Sequence, residues 1–258
     1  MMNVSFIHFI ATERYICMSV SFQRVLLKLS GEALAAEDGI IDYEYIQKIG
    51  RVVGRCMEEG AQIAIVVGAG NIWRGRQGLD MDRVRADQMG MLATAINALA
   101  IQDAFLSQGV DTVVFTANEM PSFGEFYTQR DAIRALESGK AVVLGGGTGN
   151  PFFSTDTGAV LRAVEIQADV VLMAKNIDGV YTADPKKDPG AKKLDETTYD
   201  YILSNHLGVI DMTAASLAMD NDLPLYLFGL DKEENIYRVI KGEKLGTIVN
   251  NKVKESAQ

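Results

Sequence analysis

The chain has 258 residues, 48% of them apolar, which suits one large α/β domain with a substantial core or two small domains. Its formal net charge of −9 argues against a nucleic acid or an anionic membrane surface as a partner, because both favour a basic face. Cys17 and Cys56 lie far apart without metal-ligand spacing, which indicates a reducing, cytoplasmic location. Cys56 falls in a helical pattern and is predicted to be a core residue.

The first 22 residues differ from the rest of the chain. They are apolar but interrupted by Glu13 and Arg14, and they lack both the basic start of a signal peptide and the long apolar run of a membrane span. Because Met18 lies just before the first predicted strand, we expect residues 1–17 to be an upstream extension. Residues 1–22 are thus set apart from a single domain over 23–258. An additional N-terminal strand or helix is the alternative.

Strand and helix patterns alternate from Arg24 onward. Short β-branched runs predict strands, and apolar residues at helical spacing predict helices. The predicted strands are Val25–Leu29, Ile63–Val67, Thr112–Thr116, Ala141–Leu144, Val170–Met173 and Leu225–Phe228. The predicted helices are Tyr43–Glu59, Asp82–Gln108, one starting at Thr157, Thr213–Met219 and Glu233–Ile240. This order predicts an α/β fold, a three-layer α/β/α sandwich with a largely parallel central sheet, whose ligands bind at the carboxyl ends of the strands.

A glycine-rich strand end carries the strongest functional signal. The predicted strand Ala141–Leu144 runs directly into residues 145–149, which read GGGTG. Glycines let backbone N–H groups approach a phosphate, because no Cβ blocks the way. Ser154, Thr155 and Asp156 then offer caps for a following helix, and a helix N-terminus favours an anion. The segment therefore predicts phosphate binding, with a tight strand-to-helix turn as the alternative.

Cations stand at three strand ends, although the usual phosphate motifs are absent. The sequence contains neither a Walker-type loop nor the dinucleotide fingerprint nor the protein-kinase signatures. Lys28, Arg74 and Lys175 each lie in or after a predicted strand or glycine loop, and phosphoryl transfer requires such charge neutralisation. Lys28 lies within an apolar strand, where it requires an anionic partner. The alternatives are an edge-strand lysine at position 28 and a solvated loop arginine at position 74.

A polar loop over residues 174–189 suits a nucleoside. Asp178-Gly179 indicates a turn, Tyr181 offers a ring that stacks on a base, and Asp184-Pro185 ends the segment rigidly. An ordinary surface loop is the alternative.

Five motifs in order resemble the bacterial uridylate (UMP) kinases, a family of the amino acid kinase superfamily, from about Gln23 to Ile248. They are KLSGEAL at 28–34, GAGNIWRG at 68–75, MDRVRADQMGMLATAINALA at 81–100, GTGNPFFSTD at 147–156 and NIDGVYTADPKKDP at 176–189. The resemblance implies an amino acid kinase-like domain that phosphorylates UMP to UDP with ATP and Mg²⁺, by direct in-line transfer in pyrimidine nucleotide biosynthesis. UMP would lie mainly on the N-terminal half and ATP mainly on the C-terminal half.

The resemblance also implies roles for individual residues. The ATP-binding residues would be Lys28, Leu29, Ser30, Gly31, Gly70, Arg74, Asn176, Tyr181 and Asp184. The UMP-binding residues would be Ala69, Asp87, Thr148, Gly149, Asn150, Pro151, Phe152, Phe153, Ser154 and Thr155. The catalytic residues would be Lys28, Arg74, Asp156 and Asp211. The two aspartates would orient the catalytic cations and the magnesium, whose ligands stay unassigned. The lysine at position 175 varies within the family. The alternatives are an exposed helix residue for Asp87 and a plain helix cap for Asp211.

One residue departs from the family pattern. The family usually has three glycines where this chain has Gly68-Ala69-Gly70. A methyl group at position 69 costs about 1 kcal/mol if the backbone there needs positive φ, and is harmless otherwise.

Assembly and regulation are further implications of the resemblance. Such kinases form homohexamers that GTP activates and UTP inhibits, and the GTP-responsive loop would comprise Ala36, Glu37, Asp38, Gly39, Ile40 and Ile41. The predicted helix Asp82–Gln108 also has more apolar side chains than one sheet-facing stripe needs, including Met89, Met91, Leu92, Ile96 and Leu99. A second subunit would cover the excess; burial on two sides within one domain is the alternative.

A phosphate acceptor needs no general base, because a phosphate monoester is mostly dianionic at neutral pH. This agrees with a chain whose two histidines, His8 and His206, lie outside every motif. Two other functions remain open: a related kinase that acts on a carboxylate or carbamate, and a nucleotide sensor without catalysis.

Overall fold

A nine-stranded sheet forms the centre of the computed structural model, which describes residues 20–73 and 80–251. Arg74, Cys17 and the expected extension over 1–17 lie outside the described residues. Val20 and Phe22, which the sequence set apart with the extension, pack against the core of the domain.

The sheet is parallel except at one pair of strands. Its strand order is β4-β3-β5-β2-β1-β6-β10-β11-β9, and only β10 and β11 run antiparallel among the described strands of this sheet. The strands are β1 Arg24–Leu29, β2 Gln62–Val67, β3 Thr112–Thr116, β4 Glu125–Phe126, β5 Ala141–Gly145, β6 Val170–Lys175, β7 Val180–Tyr181, β8 Lys193–Leu194, β9 Glu196–Thr198, β10 Leu225–Gly229 and β11 Thr247–Asn250. Strands β7 and β8 form a separate antiparallel pair.

Helices cover both faces of the sheet. They are α1 Tyr43–Glu58, α2 Arg83–Ser107, α3 Gln129–Glu137, α4 Thr155–Glu165, α5 Tyr199–Ser204, α6 Met212–Asp220 and α7 Glu234–Ile240, with a short 3-10 helix at Gly31–Leu34. Buried residues of α1, α2 and α7 share one core layer with the sheet, and those of α3 to α6 share the other. The predicted three-layer sandwich is therefore confirmed.

The central strands are apolar along their whole length because helices cover both of their faces. In β1, Val25 and Leu27 join one core layer and Leu26 joins the other. Cys56 on α1 is fully buried, as predicted, and burial raises the pKa of its thiol to about 12.

Helix α2 is partly buried and partly open. By length and composition alone it could cross a membrane, but one side of it packs on the sheet and on α1. Its outward side chains Met89, Leu92 and Ile96 are 39%, 54% and 51% exposed. Met91 and Leu99 are partly buried. The described residues therefore leave the stripe of Met89, Leu92 and Ile96 uncovered, which contradicts the alternative of burial on two sides.

The sequence missed the shorter elements. Helices α3 and α5, the 3-10 helix, strand β4, the strands β7 to β9 and strand β11 were not predicted. Helix α4 begins at Thr155, two residues before the predicted start, because the Ser154 side chain accepts a hydrogen bond from the Thr157 N–H and caps the helix there.

Candidate active site

The motif loops meet at the carboxyl ends of the central strands. Strands β5, β2, β1 and β6 are neighbours, and all four run in parallel, so their carboxyl ends lie side by side. The glycine loops after β2 and β5, the Ser30-Gly31 turn after β1 and Lys175 at the end of β6 are thus brought together, as the sequence predicted.

Gly31 is needed for close packing of two of these loops. A Cβ atom at this position would lie 2.5 Å from the Gly70 nitrogen and 2.7 Å from the Gly68 oxygen. The preceding Ser30 caps the 3-10 helix by accepting a hydrogen bond from Ala33 N. The turn after β1 and the loop after β2 therefore form one packed unit.

Lys28, Asp156 and Lys175 form a charge cluster at the carboxyl ends of these strands. Lys28 Nζ lies 2.9 Å from Asp156 Oδ1, and Lys175 Nζ lies 2.8 Å from Asp156 Oδ2. Burial opposes ionisation of Asp156, but the charges of Lys28 and Lys175 outweigh it, and the pKa of this carboxyl is lowered from its ordinary value. Burial, together with the Lys28 charge, lowers the pKa of Lys175 despite its carboxylate partner. One carboxylate thus holds two ammonium groups in place, of which that of Lys28 is buried and that of Lys175 is partly buried.

The cluster corrects one alternative drawn from the sequence. Strand β1 lies in the middle of the sheet, between β2 and β6, so Lys28 is not an edge-strand lysine. Its anionic partner within the protein is Asp156. Lys175 shares that partner, so it lies as close to the site as Lys28.

Asp211 joins the starts of two helices. Its carboxylate caps α6 by accepting a hydrogen bond from Ala214 N at 2.9 Å, as the cap alternative expected. It also accepts hydrogen bonds from the hydroxyls of Ser154 and Thr157, at the start of α4. Asp211 therefore does more than cap its own helix, because it fixes α6 against the helix that carries Asp156.

A cavity of about 440 Å³ lies between the two glycine loops and α2. Its volume falls within the range of small-molecule sites. Its lining residues are Val67, Ala69, Gly70, Trp73, Arg83, Ala86, Asp87, Gly90, Met91, Thr94, Gly147, Thr148, Asn150, Phe153, Ser154, Thr155 and Asp211. Most of the residues expected to bind UMP are in this set; Gly149, Pro151 and Phe152 are not, although they belong to the same loop.

Asp87 ties α2 to the loop that follows β5. Its Oδ2 accepts hydrogen bonds from Arg83 Nε and from the Phe152 N–H, both at 2.8 Å. Phe152 has φ +74°, which a non-glycine residue adopts only when its surroundings impose it. The Arg83 guanidinium lies 5.4 Å from the centroid of the Phe152 ring. Asp87 is thus mostly buried, and the alternative of an exposed helix residue is wrong.

Backbone conformation explains three glycines of the second loop and permits the alanine of the first. Gly146, Gly147 and Gly149 have φ between +59° and +84°. Ala69 is not among the described residues with positive φ. The methyl group at position 69 is therefore compatible with its backbone.

Arg162 supports the second glycine loop from behind, a role that no motif in the sequence indicated. Its Nη2 donates to the carbonyl oxygens of Gly147 and Thr148 at 3.3 and 3.5 Å. Glu165 pairs with the same guanidinium at 2.6 Å, and the Tyr127 ring lies 4.0 Å beneath it. Together these contacts fix the loop against α4.

The residues expected to bind the ATP base and ribose lie on a more open part of the molecule. Asn176 is exposed and directly follows Lys175. The Tyr181 hydroxyl donates to Asp178 Oδ1, and Asp184 Oδ1 accepts from the Lys186 N–H. These side chains thus pair with near neighbours in sequence and do not converge on one another.

The expected GTP-responsive loop contacts the first glycine loop. Ala36 and Gly39 form an isolated bridge, and Ile40 is 57% exposed. The Ile40 carbonyl oxygen accepts a hydrogen bond from Asn71 Nδ2 at 2.8 Å. This contact joins residues 36–41 to the loop that follows β2.

The part of the site that the structure describes contains no protein cage for a divalent cation. Among the described residues, no cluster of three or more His, Cys, Asp or Glu side chains is suited to a metal. Both oxygens of Asp156 are occupied by lysines, and those of Asp211 accept from hydroxyls and a backbone N–H. These residues therefore do not form a metal site by themselves.

Comparison with known proteins gives a consistent result. Residues 23–229 match the model of the amino acid kinase family. The crystal structure of UMP kinase from Bacillus anthracis is 35% identical, with a TM-score of 0.86, and covers 90% of this chain and 97% of that one. UMP kinase from Ureaplasma parvum is 37% identical, with a TM-score of 0.84 over 88% of this chain and 98% of that one. Uridylate kinase from Archaeoglobus fulgidus is 29% identical, with a TM-score of 0.68 over 87% and 99%.

Proposed function

This chain belongs to the amino acid kinase family, and we propose that it makes UDP by transferring the γ-phosphoryl group of ATP directly to UMP. The solved structures compared above are those of UMP kinases. Phosphorylation of UMP makes it a nucleoside monophosphate kinase. The observation that carries the mechanism is the Lys28–Asp156–Lys175 cluster beside the cavity that Thr155 helps to line. Fixed cations beside a cavity lined by glycine loops suit a reaction that brings two anions together.

The reaction needs no base from the protein. A UMP phosphate oxygen attacks the γ-phosphorus, the bond from that phosphorus to the β,γ-bridging oxygen breaks, and ADP leaves with the electron pair. The attacking phosphate is mostly dianionic at neutral pH. Lys28 and Lys175 neutralise charge on the phosphates, and Asp156 keeps both ammonium groups in register. Arg74, which follows the described residue Trp73, adds a further cation between donor and acceptor.

The acceptor occupies the cavity between the glycine loops. Asp87 binds the ribose hydroxyls, Ala69 contributes its backbone, and residues 148–155 surround the phosphate and uracil. The cavity's volume and the convergence of these residues support this assignment. Residues 28–31 and Gly70 line the ATP phosphates, and Asn176, Tyr181 and Asp184 bind its base and ribose.

Magnesium is proposed to arrive with ATP. Mg²⁺ in phosphotransferases is usually bound through substrate phosphates, with one or two carboxylates at most. Because the carboxylates here are already paired, no step is assigned to the ion.

An ADP-release assay with UMP, CMP, dTMP, carbamate and several carboxylates tests the function. We expect turnover with UMP far above that with every other acceptor. Equal or greater turnover with a carboxylate or carbamate would identify a different kinase of the same fold. ATP binding without turnover of any acceptor would identify a sensor.

Assembly and regulation are proposed for the same protein. The exposed stripe of Met89, Leu92 and Ile96 on α2 supports contact with further copies of the chain, in a homohexamer. UTP shares the uracil of the product and would inhibit from the UMP cavity, whereas GTP would activate through residues 36–41. GTP activation requires two states with different GTP affinity. Its substrates and pyrimidine nucleotide biosynthesis suit a cytoplasmic enzyme.

Sedimentation equilibrium and UMP kinetics with either effector test this proposal. We expect a hexamer at micromolar concentration and UMP curves that shift in opposite directions with GTP and UTP. A stable monomer would contradict the assembly, and kinetics indifferent to both nucleotides would contradict the regulation.

A further inference from the structure

Helix α2 buries two polar side chains one turn apart, on the face that meets the site. Thr94 is 6% exposed and Asn97 is fully buried. Buried polar groups are costly unless they are hydrogen-bonded. The hydrogen-bond partners of Thr94 and Asn97 therefore indicate the roles of these two side chains.

Thr94 holds the loop that follows β5. Its Oγ1 accepts a hydrogen bond from the Gly146 N–H at 2.8 Å and donates to the Met91 carbonyl oxygen at 2.7 Å. Gly146, with φ +84°, is the residue at which the chain leaves the strand. Although Thr94 lines the cavity, its single proton is already donated within α2, so its role toward the loop is that of an acceptor.

Asn97 holds the loop that follows β2. Its Nδ2 donates to the Gly68 carbonyl oxygen and to Asn71 Oδ1, both at 2.8 Å. Its Oδ1 accepts from Asn71 Nδ2 at 2.9 Å. One side chain thus binds both ends of the segment from Gly68 to Asn71.

We propose that Thr94 and Asn97 are positioning residues that fix the glycine loops after β5 and β2 relative to each other. Both loops line the UMP cavity. The loop held by Asn97 also packs against Gly31, in the turn that follows Lys28, so its position relative to the other loop places the ATP phosphates relative to UMP. A rigid helix that binds both sets the distance between the two phosphates. This inference rests on the proposed function.

The proposal predicts a larger loss in turnover than in binding. The polar atoms of Thr94 and Asn97 are committed to hydrogen bonds within the protein, whereas the alignment between the two loops depends on these bonds. Small misplacement of reacting groups lowers rates by up to about 100-fold. We therefore expect kcat to fall 10- to 100-fold, while the Kd of UMP measured without ATP changes by a smaller factor than kcat.

Thr94→Val is the main test, because valine keeps the shape and removes the hydroxyl acceptor. Thr94→Ser keeps the acceptor and should restore kcat to within about threefold of wild type. Thr112→Val is the matched control. Thr112 is also buried, and its hydroxyl also donates to a carbonyl oxygen. It lies at the amino end of β3, whereas the site lies at the carboxyl ends of the strands. Thermal unfolding of each variant distinguishes lost stability from lost turnover. If Thr94→Val does not fold, Thr94→Ala, which also lacks the hydroxyl, replaces it as the main test.

Asn97→Asp tests the other loop, since it places an oxygen where Asn97 now donates to Gly68. We expect kcat to fall at least tenfold here too. The proposal is overturned if Thr94→Val and Asn97→Asp keep wild-type kcat, or if Thr94→Ser is as impaired as Thr94→Val. It is also overturned if Thr112→Val lowers kcat as much as Thr94→Val does. A wild-type protein inactive with UMP would instead overturn the proposed function, and the variants would then be compared with whichever acceptor is turned over.

Discussion

The acceptor side and the donor side of the proposed site are built differently. Around the UMP cavity, hydrogen bonds join residues far apart in sequence, such as Asp87 with Phe152 and Ser154 with Asp211. In the proposed ATP loop, Tyr181 bonds to Asp178 and Asp184 to the Lys186 N–H, two or three residues away. Long-range bonds fix a cavity only once the domain has folded around it, whereas local bonds stabilise turns by themselves. The acceptor cavity is thus preorganised by long-range bonds, whereas the side chains of Tyr181 and Asp184 bond only locally, on a loop that β7–β8 pairing and the Val180–Thr247 bond attach to the domain.

Lys28, Asp156 and Lys175 form the junction between the two sides. Lys28 comes from the strand before the ATP phosphate turn, Asp156 follows the UMP-cavity residue Thr155, and Lys175 precedes the ATP loop. A change at this junction should affect both substrates, and a change on either side should affect one. The following predictions test that division, from the largest effect to the smallest.

Replacing Lys28 with alanine should have the largest effect. It removes a preorganised cation from the reaction centre, which typically costs about 10²–10³-fold in kcat. Lys175 remains to pair with Asp156, so the fold should survive. Steady-state kinetics and thermal unfolding measure both effects. Lys140→Ala, which removes an exposed partner of Asp111, is the control, and wild-type turnover in Lys28→Ala would contradict the role.

Replacing Asp87 with alanine should weaken the acceptor side alone. A hydrogen bond to a charged group contributes about 1.5–3 kcal/mol, so we expect the KM for UMP to rise about 10- to 100-fold. The KM for ATP should change little. Asp103→Ala is the matched control, because Asp103 lies on the same helix but pairs with Tyr43. Equal increases in both KM values would show that Asp87 does not belong to the acceptor side.

Replacing Tyr181 with alanine should weaken the donor side alone, and by less. Stacking of an exposed aromatic ring contributes about 0.5–1.5 kcal/mol, so the KM for ATP should rise about 2- to 10-fold. Tyr181→Phe keeps the ring and removes the hydroxyl bond to Asp178, so it should behave like wild type. If Tyr181→Phe were as impaired as Tyr181→Ala, the hydroxyl rather than the ring would be responsible.

The same division explains what the sequence could predict. Long apolar runs such as β1 and β2 gave the sheet, because period and composition are local signals. The cations were also visible, since a lysine within an apolar strand is unusual. The partners of Lys28 and Asp87 were not visible from spacing alone, because Asp156 and Phe152 reach them only through tertiary packing. Helices α3 and α5 were missed because nine and six residues are too short for a clear periodic pattern.

The last prediction concerns the junction of Lys28, Asp156 and Lys175 at acid pH. The quantity measured is the free energy of unfolding, not turnover. The pKa of Asp156 is lowered because the charges of Lys28 and Lys175 outweigh its burial. A depressed pKa in the folded state means that the unfolded chain binds the proton first as the pH falls. The contribution of Asp156 to stability is therefore complete above its ordinary pKa of about 3.9 and is lost as the pH falls through the folded-state pKa.

Chemical denaturation between about pH 6 and about pH 3 measures this contribution. Asp156→Asn should be less stable than wild type at neutral pH, because it removes the carboxylate with which both Lys28 and Lys175 pair. Its free energy of unfolding should then fall less steeply in acid, since the titrating group is gone. Asp111→Asn, in an exposed pair with Lys140, should keep the wild-type slope. Parallel acid profiles for wild type and Asp156→Asn would show that the two lysines do not hold this carboxylate ionised, and the proposed junction would lose its electrostatic basis.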